Sequence, residues 1–312
     1  MKIVFMGTPH AAVTSLERLT TDGHQIAAVY TQPDRPAGRG NKIARSRVKE
    51  FAEVMGFQVR QPTGLKTDDA LAEFKSLVAD AAVVVAYGRI LPQSFLDAFP
   101  LGAVNLHFSL LPKYRGAAPV NWAIVKGEKT TGVTTMRMDA GMDTGPILLQ
   151  RSTKIGENEN SIELMERLAL MGSELLSRTL DEIDSIRPQP QNNMEASAAP
   201  MLSKQDGSIS WMLNAREITN RIRGFQPFPT AFTFFQGKKL TIWSARPDVS
   251  DGQTHQIGEI ATTNGNELIV YCGGDTMLHI DELQLEGKRR VAARDFINGV
   301  RLVSGTLLSD QF

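Results

Sequence analysis

Asn105 and His107 stand two residues apart in the stretch AVNLHFS, residues 103–109. If that stretch is a β-strand, alternation puts both on one face while Val104 and Leu106 take the other. A histidine that titrates near neutrality, beside an asparagine with fixed N–H donors, suits the stabilisation of an oxyanion. The same two residues also make sense as a hydrogen-bonded polar pair at a strand end. Asp139 and Asp143 follow in the Gly-punctuated MDAGMDTGPI. Glycines let backbone approach a ligand closely, and a carboxylate beside a histidine can hold one tautomer and raise its basicity. Either aspartate fits, with turn chemistry the simpler role for Asp139.

The stretch PDRPAGRGNKIARSRVK, residues 33–49, carries Arg35, Arg39, Lys42, Arg45, Arg47 and Lys49 against Asp34 alone. In a chain with 34 basic and 34 acidic residues, such a run is either a solvated face or a contact for a phosphate backbone. KIVFMGTPHAA lacks the second and third glycines of a dinucleotide fingerprint, and no phosphate-binding G-x-x-x-x-G-K-[ST] follows any strand, so NAD and ATP sites have little support. His10, His24, His255 and His279 show no ligand spacing, and no metal is assigned. The single cysteine, Cys272, excludes an internal disulfide and reads as a small core residue.

The elements that must position these residues are apolar strands alternating with helices. KIVFMG, IAAVYTQ, AAVVVAYG and AVNLHFS read as strands, with helical patterns after GTP (Val13, Leu16, Leu19) and around 47–56, 68–78, 92–98 and 119–126. A longer helix covers about 160–184, with Ile162, Met165, Leu168, Leu175 and Leu176 at helical spacing. This pattern predicts an α/β domain with a doubly wound, mostly parallel sheet. Ligands bind such sheets beyond the carboxyl ends of the strands, where GTP, TQPDRPAGRG, AYGRILP and NLHFSLLP all fall. The polar, Pro-containing SIRPQPQNNMEASAAP suits a linker. Beyond it, SISW, TAFTFFQGKKLTIWSA, GEIATTNGNELIVYC and TMLHIDELQ read as short strands around a basic amphipathic helix, AREITNRIRGF. The expected division is therefore 1–188, a linker at 189–205, and a small all-β barrel or sandwich at 206–312. The 312 residues and 42% apolar content support two filled cores. The amino-terminal stretch has neither a signal-peptide pattern nor a membrane span, so a cytoplasmic enzyme is expected.

Taken together, MGTP, TQPDRPAGRG, VVVAYGRILP, NLHFSLLPKYRGAAPVNWAI, TGVTTMRMDAGMDTGPIL, LSKQDGSISW and IRGFQPFPTAF resemble the 10-formyltetrahydrofolate-dependent formyltransferases through nearly the whole chain, in order. N-x-H-x-S-L-L-P with D-x-G-x-D-T-G carries the reaction class. QPDRPAGRG and the C-terminal segments narrow the resemblance to the branch that formylates initiator methionyl-tRNA. The resemblance implies a Rossmann-like formyltransferase domain joined to an OB-like barrel that helps hold tRNA. It implies a catalytic trio of Asn105, His107 and Asp143, thereby choosing between the two aspartates. It implies folate contacts at Ser109, Leu110, Leu111 and Pro112, with the pterin held near Arg89, Ile90 and Leu91. The basic segment, with Arg35, Arg39, Lys42 and Arg45, corresponds to an acceptor-arm loop. The implied cosubstrate is 10-formyltetrahydrofolate, with initiator Met-tRNA as partner, no metal, no membrane, and a monomer. Two alternatives stand beside this. A formyltransferase for a small amine, such as glycinamide ribonucleotide or an amino sugar, leaves the basic loop unexplained; a non-catalytic RNA-binding module leaves the trio unexplained.

Overall fold

Every side chain from Ile3 to Met6 is fully buried, which a strand achieves only when both faces of its sheet are covered. In the computed structural model, which describes residues 1–37, 42–249, 252, 255–263 and 267–309, this run is β1 (Lys2–Gly7). The other strands of the first unit are β2 (Gln25–Tyr30), β3 (Arg35–Ala37), β4 (Lys42–Ala44), β5 (Val59–Arg60), β6 (Ala81–Val85), β7 (Ala103–His107), β8 (Thr130–Arg137) and β9 (Ile147–Lys154). Seven of them form one sheet in the order β5-β2-β1-β6-β7-β8-β9. The pairs from β5 through β7 are parallel, and β8 and β9 add on antiparallel. The chain winds outward from β1 through β2 to β5, then returns to β6 on the other side of β1. That reversal makes the space beyond the carboxyl ends of β1 and β6 the expected ligand crevice.

Helix α1 (His10–Thr21) follows β1. Helix α2 (Arg47–Val54) begins where Ser46 Oγ accepts the Lys49 amide at 3.1 Å, and α3 (Asp68–Ser76) begins where Thr67 accepts the Ala70 amide, with Asp68 and Asp69 opposing the helix dipole in its first turn. One face of the sheet packs Val4, Met6, Tyr30, Ala82 and Val84 against Phe74 of α3, Phe95 of α4 (Gln93–Leu96) and Phe99. The ring centroids of Phe95 and Phe99 lie 4.7 and 4.8 Å from that of Phe74, so truncating Phe74 to alanine is expected to cost about 3–5 kcal/mol. The strands read from sequence are present but end sooner. Thr31, Gln32, Ala86, Tyr87, Gly88, Phe108 and Ser109 belong to the connections at the carboxyl edge. The β3–β4 hairpin was not expected, because its Arg, Pro and Gly content reads as loop.

The chain divides into two compact units: Met1–Pro119, Thr130–Lys154 and Met165–Pro200 form the first; Val120–Lys129, Ile155–Leu164 and Met201–Phe312 form the second. Both α5 (Pro119–Val125) and α6 (Ser161–Asp181) span the division. The second unit holds α7 (Ala215–Gly224), β10 (Ala231–Phe235), β11 (Lys238–Val249), β12 (Ile260–Thr263), β13 (Glu267–Cys272), β14 (Thr276–Leu285), β15 (Val291–Ala292) and α8 (Ala293–Val300). Its sheet is antiparallel, in the order β10-β11-β14-β13-β12, with β15 beside β14. Residues 306–309 reach both ends of that order: Phe234 and Ser309 exchange backbone hydrogen bonds, while the Ile260 amide donates to Thr306 and the Leu308 amide to Gly258. The sheet is thereby bent into a half-barrel around Trp211, Ile218, Ile222, Leu240, Val270, Leu278 and Phe296. SISW forms no strand; only Ser208 bridges Phe232, and buried Trp211 donates to Thr233 Oγ1 at 3.1 Å. Helix α7 opens with a reciprocal cap between Asn214 and Glu217. Among the described residues, no helix is long and apolar enough to cross a membrane.

Candidate active site

Strand β7 separates its side chains as its alternation requires. Leu106 presses against α6, where a Cβ on Gly172 would lie 2.9 Å from Leu106 Cδ2. Asn105 and His107 are 7% and 6% exposed. The His107 Nε2–H donates to the Tyr114 carbonyl at 2.9 Å in the neutral tautomer this bond selects, which leaves Nδ1 as the lone-pair nitrogen. Nδ1 faces Asp143 Oδ2 at 3.7 Å, too long for a direct hydrogen bond. The Asn105 carboxamide makes no hydrogen bond to any described residue. A nearly buried donor without a protein partner is an arrangement that a ligand oxygen completes.

Tyr114, Arg115 and Gly116 together address the rest of the cluster. The Tyr114 carbonyl takes the His107 proton, the Arg115 guanidinium donates through Nε and Nη2 to Gln191 Oε1 at 3.0 and 2.7 Å, and the Gly116 amide donates to Asp143 Oδ2 at 2.8 Å. Asp143 lies at φ 55°, in the left-handed region, within a turn whose geometry depends on Gly145: a Cβ there would meet the Arg137 carbonyl oxygen at 1.8 Å. Gln191 Nε2 donates to the carbonyls of Asp143 and Gly145 at 2.8 and 2.7 Å. Asp139 does serve its own turn, accepting from the Gly141 amide and the Thr144 hydroxyl.

Residues 189–200, expected as part of a linker, are bonded along the first unit. Gln189 and Ile147 exchange backbone bonds at 2.8 Å, the Arg115 amide donates to Ser197, the Ala199 amide to Arg115, the Ala118 amide to Ala199, and the Tyr114 amide to Ser197 Oγ. Nothing local marks Gln191 or Ser197 in the sequence, since their partners are distant along the chain. Ser109 is fully buried with its hydroxyl on the Lys113 carbonyl, and Leu111 is buried too, while Leu110 and Pro112 are partly exposed.

Beyond β1, β2 and β6, a polar web joins the connections. Thr8 Oγ1 and Gln32 Nε2 both donate to the Tyr87 carbonyl, and Arg89 donates to Gln32 Oε1 at 3.1 Å and to the Pro62 carbonyl at 2.9 Å. Arg89 is thus held in place, Leu91 is buried, and Ile90 offers a 77% exposed apolar side chain beside it. In the basic segment, Lys49 donates to Asp34 at 2.6 Å and Gln61 Nε2 donates to the other Asp34 oxygen at 2.8 Å, and these bonds, Lys49 first, hold the Asp34 carboxyl below its usual range. Arg45 pairs with Glu53 and Arg47 with Glu50, so α2 supplies carboxylates that a reading of residues 33–49 largely omits. Arg35 is exposed on β3; Arg39 lies outside the described residues, and of Lys42 only the backbone of β4 is described. Among the described residues, no three His, Cys, Asp or Glu side chains gather as a metal site.

Residues 1–180 match the formyl transferase family model, and residues 201–301 match its C-terminal domain. A methionyl-tRNA formyltransferase of Solibacter usitatus is 46% identical over 312 residues, covering 99% of both chains, and one of Koribacter versatilis is 48% identical over 304 residues, covering 96% of both. Among solved structures, an N-formyltransferase from Helicobacter canadensis, in complex with folinic acid and dTDP-3-aminofucose, superposes with a TM-score of 0.67 at 19% identity, covering 90% of this chain and 98% of that one. At that identity it supports the fold alone.

Proposed function

The chain belongs to the formyl transferase family, and from that premise we propose that it transfers the formyl group of 10-formyltetrahydrofolate to the amino group of methionyl initiator tRNA. The observation that carries the substrate is the full-length similarity to relatives named for methionyl-tRNA, at 43–48% identity. A small amine as acceptor has no comparable support. The reading assigns catalysis to residues 1–188, a connection to 189–205 and tRNA contact to 206–312 together with Arg35, Arg39, Lys42 and Arg45. It places the protein in the cytoplasm as a monomer.

The chemistry asked of the cluster is attack by a neutral amine on the formyl carbon, with the new N–C bond formed, the bond from carbon to N10 broken, and one proton passed from the amine to N10. Asn105, the donor left without a protein partner, binds the formyl oxygen as charge develops on it. His107 has its Nε2 proton committed to Tyr114, so its role is at Nδ1, which accepts the amine proton and returns it to N10, directly or through water. Asp143 stabilises the imidazolium formed in between. This differs from the first expectation, in which both Asn105 and His107 donate to the oxyanion. The exposed Ile90, beside the anchored Arg89, gives a pterin ring an apolar surface, and the partly exposed Leu110 and Pro112 offer further apolar contacts for the folate.

The test is transfer of radiolabelled formyl from 10-formyltetrahydrofolate with initiator Met-tRNA, elongator Met-tRNA, free methionine and glycinamide ribonucleotide in competition. Label on initiator Met-tRNA alone is expected. Label on a small amine would keep the cluster and discard the acceptor.

A further inference from the structure

We propose that Gln191 is the positioning residue of Asp143, setting the carboxylate against His107 Nδ1; this rests on the catalytic reading of Asp143 given above. The Gln191 amide has two N–H donors and one carbonyl oxygen. Both donors are engaged, on the carbonyls of Asp143 and Gly145, and the oxygen takes two bonds from Arg115. The group is saturated, so its orientation is fixed at both ends.

The geometry needs such a clamp. Asp143 occupies left-handed backbone, which L-residues adopt at a cost, and its turn is punctuated by Gly141 and Gly145. Its carboxylate accepts a hydrogen bond from the Gly116 amide, at Oδ2, the oxygen that also faces His107. Moving the turn relative to Arg115–Gly116 would swing that oxygen away. Gln191 ties Arg115, the residue preceding Gly116, to the two carbonyls that flank Thr144. It therefore couples the donor of the carboxylate to the backbone that carries the carboxylate.

A merely structural role for Gln191 is disfavoured by how much else holds its segment. Gln189, Ser197 and Ala199 bond to Ile147, Tyr114, Arg115 and Ala118 without it. Losing the carboxamide leaves those bonds in place and frees chiefly the Asp143 turn.

Gln191→Glu separates the two roles. The substituted carboxylate keeps, and by charge reinforces, the bond from Arg115, but it cannot donate to the two carbonyls. The expected result is a 10- to 100-fold fall in kcat, the range typical for losing a supporting hydrogen bond behind a reactive group, with KM for folate and tRNA within about threefold of the parent and an undiminished melting temperature. Combined with Asp143→Asn, Gln191→Glu should lower kcat no further than Asp143→Asn does alone, because both remove the same interaction. Three results overturn the proposal. These are parental kcat in Gln191→Glu, losses that multiply in the double variant, or a lowered melting temperature with parallel loss of folate binding. If Asp143→Asn itself retains parental kcat, the catalytic reading fails and takes the proposal with it. If Asp143→Asn is impaired and Gln191→Glu is not, only the proposal fails.

Discussion

The β7 cluster and the basic segment 33–49 both follow strands of the same sheet, yet they hold their polar groups in opposite ways. Around His107 and Asp143 the partners are neutral: a carbonyl of Tyr114, and, from much further along the chain, an amide of Gly116 and a carboxamide from residue 191. In the basic segment the partners are carboxylates close by, Glu53 for Arg45 and Glu50 for Arg47, with Lys49 reaching Asp34. Neutral backbone partners fix direction without cancelling charge, which is what a proton relay needs. The exposed pairs of Arg45 and Arg47 fix little and are worth at most about 1 kcal/mol each, so a phosphate can replace either carboxylate at small cost. One region is built to keep its geometry, and the other to exchange its partners.

The largest effect should come from the group the cluster leaves open. Asn105→Ala is expected to lower kcat by roughly 100- to 1000-fold with folate affinity retained, and near-normal turnover in a stopped-flow or radiolabel assay would remove Asn105 from the chemistry. In the basic segment, Arg35→Ala and Lys42→Ala should each weaken tRNA binding and flatten the slope of log affinity against log salt by about 1. An unchanged slope in filter binding would reduce the segment to a solvated face. Glu53→Gln tests the exchange idea from the other side. Releasing Arg45 should tighten tRNA binding by up to about fivefold and steepen the slope, if the pair is as weak as exposed pairs are.

Smaller effects separate a titratable group that is held from one that is not. His24 is buried with neither ring nitrogen hydrogen-bonded, and burial, then the nearby amino terminus, push its pKa down. The folded state therefore prefers neutral His24; that contribution is complete above the unfolded value of about 6.5 and is lost as pH falls toward the folded value. Asp34, held low by Lys49 and Gln61, contributes fully above about 3.9 and loses its contribution only as pH falls further. Melting temperature should thus decline from pH 7 to 5 in the parent and less in His24→Gln, whereas Asp34→Asn should change the profile only below about pH 4.5. Smallest of all, burial pushes the Cys272 thiol up to about 12, so iodoacetamide at pH 8 should leave it unlabelled in mass spectra of the folded chain.

What was legible in the sequence is what local pattern encodes. The alternation of AVNLHFS foretold which side chains of β7 share a face, and unbroken apolar runs foretold strands covered on both sides. Asp143 could be told from Asp139 only through family resemblance, because both sit in similar Gly-rich surroundings; in the structure, the Gly141 and Thr144 bonds to Asp139 separate them. Tyr114, Gly116 and Gln191 left no local signal: the first two contribute only a backbone carbonyl and amide, which any residue carries, and the carboxamide of Gln191 finds its partners far along the chain. The carboxylates that face the basic segment lie just past it in sequence: Glu50 and Glu53 reach back to Arg47 and Arg45 only once α2 forms. SISW, short and alternating, suggested a strand, but its contacts in the second unit reduce it to a single bridge.

The position of Gln191 in the chain also sets an order of events during synthesis. Domains fold as the chain emerges, amino terminus first. His107 and Asp143 leave the ribosome well before the residue that holds them in register, so a nascent chain ending at 188 has both side chains and the Gly116 amide but lacks the carboxamide that clamps the Asp143 turn. The reaction this protein carries out prepares the first residue of new chains; in its own making, that capacity arrives late, with a short segment that looked like mere connection.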